Sequence, residues 1–204
     1  MSHAERIHAA GAAAAAIAMA VGLPAEQVQP RGRYVVECRD RDGNLKWEDV
    51  VENLVTTEGK NALLTHFLKG STYTASQTMG LIEDTGYTAV AVGNTAASIT
   101  AVGGGSPANG WNEAPVGTCA SRGTPSFGTA GSGSLATSAA VAFSILATDT
   151  IKGVFLMCRS TAGTAPSATV GNTTGALYSA GLFSGGDRAV ASGDTVNVTY
   201  TASA

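Results

Sequence analysis

Between Thr85 and Thr148 the chain carries only two charged residues, Glu113 and Arg122. The rest of its 12 Lys and Arg and 15 Asp and Glu lie outside those 64 residues. A free-standing enzyme domain ordinarily draws on charge for both solubility and chemistry. A surface of Ala, Gly, Thr, Ser and Val is tolerable where neighbouring subunits cover it or hydroxyl groups solvate it. The stretch therefore points to a building block rather than a catalyst.

The wider composition agrees. A chain of 204 residues suits one domain with an extension. Charged residues make up 13%, about half the usual ~25% of soluble domains. Hydrophobic content of 44% with so little charge is not the profile of a disordered chain. A net charge of -3 offers no field for nucleic acid. The basic cluster Arg31, Arg33, Arg39 and Arg41 is interleaved with Glu37, Asp40 and Asp42, so no nucleic-acid partner is expected. No run reaches the roughly 20 strongly apolar residues of a membrane span, and no membrane partner is expected either. Cys38, Cys119 and Cys158 are odd in number and show no zinc or redox spacing. They read as small buried hydrophobes, with a single disulfide left open.

Ser2 to Val21 reads as an alanine-rich helix. Ser2 and Glu5 form a capping box, and Gly22 and Pro24 end the helix. The segment Gly11 to Val21 has the length of a signal-peptide core, but alanine is weakly hydrophobic and Glu5 cancels Arg6. Residues 1–30 are therefore an N-terminal helical arm and linker, docking either on a neighbour or on its own domain. Residues 31–204 are the body. Arg33–Arg39 and Leu45–Val51 alternate as two strands around the Asp40–Asn44 turn, where Asp-Gly supplies the positive φ of a hairpin. That turn faintly resembles a calcium loop but lacks the downstream bidentate Glu. A helix follows over 57–69, capped at Thr56–Thr57, with Leu63, Leu64, Phe67 and Leu68 as its expected core face. His66 falls beside that face.

Beyond the helix the pattern has period two. Strands are expected at Thr78–Glu83, Tyr87–Val92, Ala139–Leu146, Ile151–Cys158, Ala176–Phe183 and Asp194–Thr201. A long small-residue loop, Gly93–Gly117, surrounds Trp111. About eight strands at this spacing predict an all-β fold. The expected architecture is an antiparallel, jelly-roll-like β-sandwich with one packed helix and the N-terminal arm.

Motifs for chemistry are not found. There is no Gly-x-Ser-x-Gly elbow, and Ser106 has no evident base. There is no His-Glu-x-x-His, and His3 and His8 do not share a helical face. The Gly103–Gly105 run lacks the Lys-Ser/Thr of a phosphate loop. Glu83 and Asp84 read as a solvated strand end. No catalytic, cofactor-binding or metal residue is assigned, and no cofactor is expected.

Three segments carry a resemblance: Asn53–Leu64 (NLVTTEGKNALL), Gly110–Glu113 (GWNE), and Gly175–Thr201 (GALYSAGLFSGGDRAVASGDTVNVTYT). In order and spacing over residues 33 to 201, the chain resembles small virion structural proteins of tailed bacteriophages. The arm before Pro30 falls outside the shared pattern. The resemblance implies a non-enzymatic particle component. The expected role is a homo-oligomeric (dimeric or trimeric) decoration or cement protein on the capsid surface, assembled in the host cytoplasm and bound to the major capsid protein. A tail fibre or receptor-binding module is the alternative, with the loop around Trp111 as its contact. A carbohydrate-active enzyme would need two inward carboxylates, and no such pair is evident.

Overall fold

The computed structural model describes residues 29–68, 76–83, 90–100, 111–115 and 117–204. The arm as far as position 28, the Gly103–Gly105 run, Ser106 and Asp84 lie outside these residues. Among the described residues twelve strands and one α-helix follow in order: β1 (Arg31–Arg39), β2 (Leu45–Glu52), β3 (Leu54–Val55), α1 (Thr57–Leu68), β4 (Gln77–Glu83), β5 (Ile99–Thr100), β6 (Trp111–Asn112), β7 (Ser134–Ala136), β8 (Val141–Ser144), β9 (Asp149–Cys158), β10 (Ala176–Leu182), β11 (Arg188–Val190) and β12 (Thr195–Ser203). A short 3₁₀ turn spans Ala96–Ser98.

The strands form two antiparallel sheets. In the first, β2, β1 and β12 are neighbours, and β8 and then β7 pair along the far side of β12. In the second, β3 flanks β10, β10 and β11 pair in succession along β9, and β4 takes the other side of β9. The first strand pairs with the last, from Arg31 opposite Ser203 to Arg39 opposite Thr195. Two antiparallel sheets with a shared core make the all-β sandwich expected from the sequence the fold. A two-residue parallel pairing of β5 with β6 lies apart from both sheets.

Period-two alternation explains the core. Tyr34, Val36 and Cys38 of β1 and Val196, Val198 and Tyr200 of β12 point inward with Phe143, Leu81, Val154 and Leu156. Each fully buried side chain of this size contributes about 1.5–3 kcal/mol. The continuous apolar run of β9 has a different cause, because that strand is covered on both faces. Phe155 and Met157 point away from the main core and pack with Ile82, Leu177 and Ala180 under Ala96.

Local chemistry sets the connections. In the β1–β2 hairpin Gly43 takes φ 86°, and the Asp40 carboxylate accepts the backbone N–H groups of Asp42 and Asn44 at 2.9 Å. The Asn44 side-chain amide, which donates to Asp40 Oδ2 at 3.1 Å, and then those backbone bonds hold the Asp40 carboxyl below its ordinary range. The oxygens that a cation would need thus serve the turn itself. At the far end Asp49 of β2 reaches the β10–β11 turn. It accepts the Ser184 hydroxyl at 2.7 Å, the Ser184 and Gly185 N–H groups at 2.9 and 3.0 Å, and Arg188 at 2.7 Å. This one carboxylate ties the two sheets together.

Two sequence expectations are corrected. Val90, Ala91 and Val92, the described end of the strand expected at Tyr87–Val92, lie in coil and turn. The Asn94 side chain accepts the Ala91 N–H at 2.5 Å while Asn94 N–H bonds the Ala91 carbonyl, so a local turn replaces the ladder. The second correction concerns α1. Leu63, Leu64, Phe67 and Leu68 are exposed, Phe67 by 81% and Leu68 by 71%. The helix buries Gly59 and Ala62 instead. A Cβ at Gly59 would stand 2.4 Å from the Tyr178 carbonyl oxygen, so only glycine lets the helix come this close to β10. Close approach along that narrow stripe turns the leucines outward.

Candidate functional site

The helix N-terminus is fixed first. Thr56 Oγ1 accepts the Gly59 N–H at 3.0 Å and donates to the Leu177 carbonyl, capping α1 and pinning it to β10 together. The Glu58 carboxylate accepts the N–H groups of Ala96 at 2.8 Å and Leu177 at 2.7 Å. Two turns further on, His66 Nε2 lies 3.0 Å from the Ser160 carbonyl oxygen, within hydrogen-bonding distance of the loop after β9. His66 thus fastens the flank of the helix, as its place beside the apolar face suggests.

Held this way, α1 stands as a wall beside the open end of the sandwich. Between it and the two sheets runs a cleft of about 330 Å³. Leu63 and Phe67 line it from α1, Leu156 and Tyr178 from the second sheet, and Leu135 and Tyr200 from the first. No Asp, Glu, Lys or Arg lines it. Its floor is rigid. The Tyr34 and Tyr200 rings meet at 4.7 Å, the Tyr34 hydroxyl lies 2.7 Å from Ser179 Oγ, and Asn53 donates to the Tyr200 hydroxyl at 3.0 Å. Burial raises the pKa of Tyr34, Tyr178 and Tyr200 alike, so the floor stays neutral. This cleft suits an apolar side chain or helix face. Its lining also includes His66, held at the Ser160 carbonyl, and Cys158, whose thiol burial pushes up to about 12.

The two charges of the uncharged stretch come together elsewhere. Glu113 and Arg122 pair on the outer face of the second sheet, where they are 1% and 3% exposed. Arg122 also donates to the Ser167 carbonyl at 3.1 Å and lies over the Phe155 ring, while Glu113 accepts the Gly171 N–H at 2.7 Å. Every polar edge of the pair is engaged, and it knits three loops over β4 and β9.

The remaining candidates fall apart in space. Glu83 ends β4, and its sequence neighbour Asp84 lies outside the described residues. The side chain of Trp111 is likewise not described. All three cysteines are buried and free. Burial pushes the Cys38 thiol up to about 11 and the Cys158 thiol up to about 12, which suits packing rather than nucleophilic attack. Among the described residues no three His, Cys, Asp or Glu side chains gather to hold a metal ion. No helix among them is long and apolar enough to cross a membrane.

No protein-family model, curated protein or solved structure matches this chain. The class rests on the fold and the cleft: an antiparallel β-sandwich carrying an exposed apolar helix.

Proposed function

We propose that the chain is a virion structural protein of a tailed bacteriophage, a decoration or cement subunit that binds the outer face of the capsid. Its partners are the major capsid protein and further copies of itself. The observation that carries this reading is the exposed apolar face of α1. Leu63, Leu64, Phe67 and Leu68 sit beside an uncharged cleft in a chain whose middle third keeps its only two charges buried against each other. Contiguous exposed apolar surface of this kind marks a protein-binding face. A shell repeats its binding sites, so a weak contact from the body and a weak contact from the arm add to firm attachment. The sequence resemblance supplies the particle.

Quantitative mass spectrometry of purified particles tests the reading. Copies in the hundreds are expected of a decoration protein. A handful per particle would overturn it in favour of a fibre or receptor-binding role.

A further inference from the structure

We propose that a second copy of this chain docks on the cleft face, Phe67 of each copy entering the cleft of the other about a two-fold axis. The inference rests on the reading of this face as a protein-binding surface. It concerns the free protein, with no shell present.

Shape is the first support. The face carries an insert and a recess side by side. Phe67 and Leu68, at the end of α1, are the most exposed side chains of its apolar stripe. Beside them opens the cleft of about 330 Å³, with Phe67 on one wall and Leu135 contributed by the first sheet. A two-fold interface needs one patch that offers both halves of the fit, because the same rotation sets every contact twice.

Charge is the second support. Docking about a two-fold axis brings charges of one sign towards their own images. A patch that pairs with itself must therefore carry few charges or balance them. No Asp, Glu, Lys or Arg lines the cleft, so docking there strips water from none of these charges. An acidic or basic partner would find no counter-charge in it. On α1 the exposed charge nearest the stripe is Lys60, about two turns before Phe67, so an antiparallel crossing at Phe67 keeps the two Lys60 side chains apart.

Area is the third support. Leu63, Leu64, Phe67 and Leu68 together leave roughly 500 Å² of apolar side chain open to water. Pairing two copies covers about twice that, near the ~1,000 Å² that a specific interface must clear and short of the ~1,600 Å² of a standard one. The pair is therefore a weak and reversible dimer. Two bodies joined this way meet a repeating shell with two contacts rather than one.

Sedimentation equilibrium of the full-length protein from micromolar to millimolar concentration tests this. Dimers are expected to form reversibly as concentration rises. Phe67→Asp is expected to weaken them about a hundredfold or more, since it removes an aromatic anchor and sets a charge against its own image. Leu146→Asp is expected to leave them unchanged, because Leu146 is 51% exposed but lies off the cleft. Both positions are exposed, so both variants keep the fold, checked by unchanged hydrogen exchange in β1 and β12. Isotope-filtered NMR on a mixture of leucine-methyl-labelled and unlabelled protein should show the Phe67 ring of one copy against the Leu135 methyls of the other. A monomer at every concentration would overturn the proposal, as would a trimer or a dimer that survives Phe67→Asp. Contacts between copies that leave out Phe67 and Leu135 would overturn it too. The copy number in purified particles is read separately, so a monomeric free protein sinks this pairing and not the decoration reading.

Discussion

Glu113 and Arg122 meet inside the protein through two parallel bonds, Arg122 Nε to Glu113 Oε1 and Nη2 to Oε2, both 2.7 Å. Removing two charges from water costs several kcal/mol per ion, and only bidentate geometry with every remaining lone pair and proton engaged offsets it. The bidentate geometry is present, and Arg122 Nη1 and Glu113 Oε2 are bonded further to the Ser167 carbonyl and the Gly171 N–H. The consequence lies outside the pair: because these two charges are internal, the described surface between Thr85 and Thr148 carries no charged side chain.

Breaking one half of the pair should therefore cost more than removing both. Glu113→Ala is expected to destabilise by about 3–5 kcal/mol, since it strands a buried guanidinium. Adding Arg122→Met should restore part of the loss. Urea unfolding of the two single variants and the double variant checks this, and a double variant as unstable as the sum of the singles would contradict it.

Acid sensitivity should trace to Asp49. Burial would raise its pKa, but Arg188, Ser184 and Gly185 outweigh burial and hold it at about 2, below the ordinary 3.8. A carboxyl depressed in the folded state stabilises the protein fully above its unfolded pKa and loses that contribution as pH falls. The window here runs from about pH 4 down to about pH 2. Asp49→Asn is expected to lower the melting temperature at pH 7 and to flatten its fall across that window. An unchanged acid limb would exclude Asp49 as the cause.

Along α1 the costs should run opposite to side-chain size. Leu64→Ala is expected to change stability by no more than about 0.5 kcal/mol, as at other surface positions. Ala62→Leu should cost about 1–3 kcal/mol, because Ala62 is buried with Cys158 and Ala176. Thermal melts of the two variants decide which face of the helix is inside.

Much of the sandwich was legible in the sequence because two-residue alternation survives in β1, β2 and β12, where one face is buried. β3, β7 and β11 were missed: two or three residues carry no period. The helix was found and its face misjudged. Leu63, Leu64, Phe67 and Leu68 have the spacing of a core stripe, and the competing stripe of Gly59, Ala62 and His66 looks empty until Gly59 meets the Tyr178 backbone. Glu113 and Arg122 stood out in sequence, but nine positions of spacing gave no sign that they pair. The cleft was invisible, because Leu135, Leu156, Tyr178 and Tyr200 come from four separate strands.

As a proposed decoration subunit, this chain should stabilise a shell. Binding only the assembled state shifts the assembly's stability by mass action. Particles stripped of the protein should rupture at a lower temperature, and adding back the full-length chain should restore their resistance. Phe67→Asp should restore it poorly at equal concentration. Stripped particles that rupture at the same temperature with and without the added protein would contradict the account.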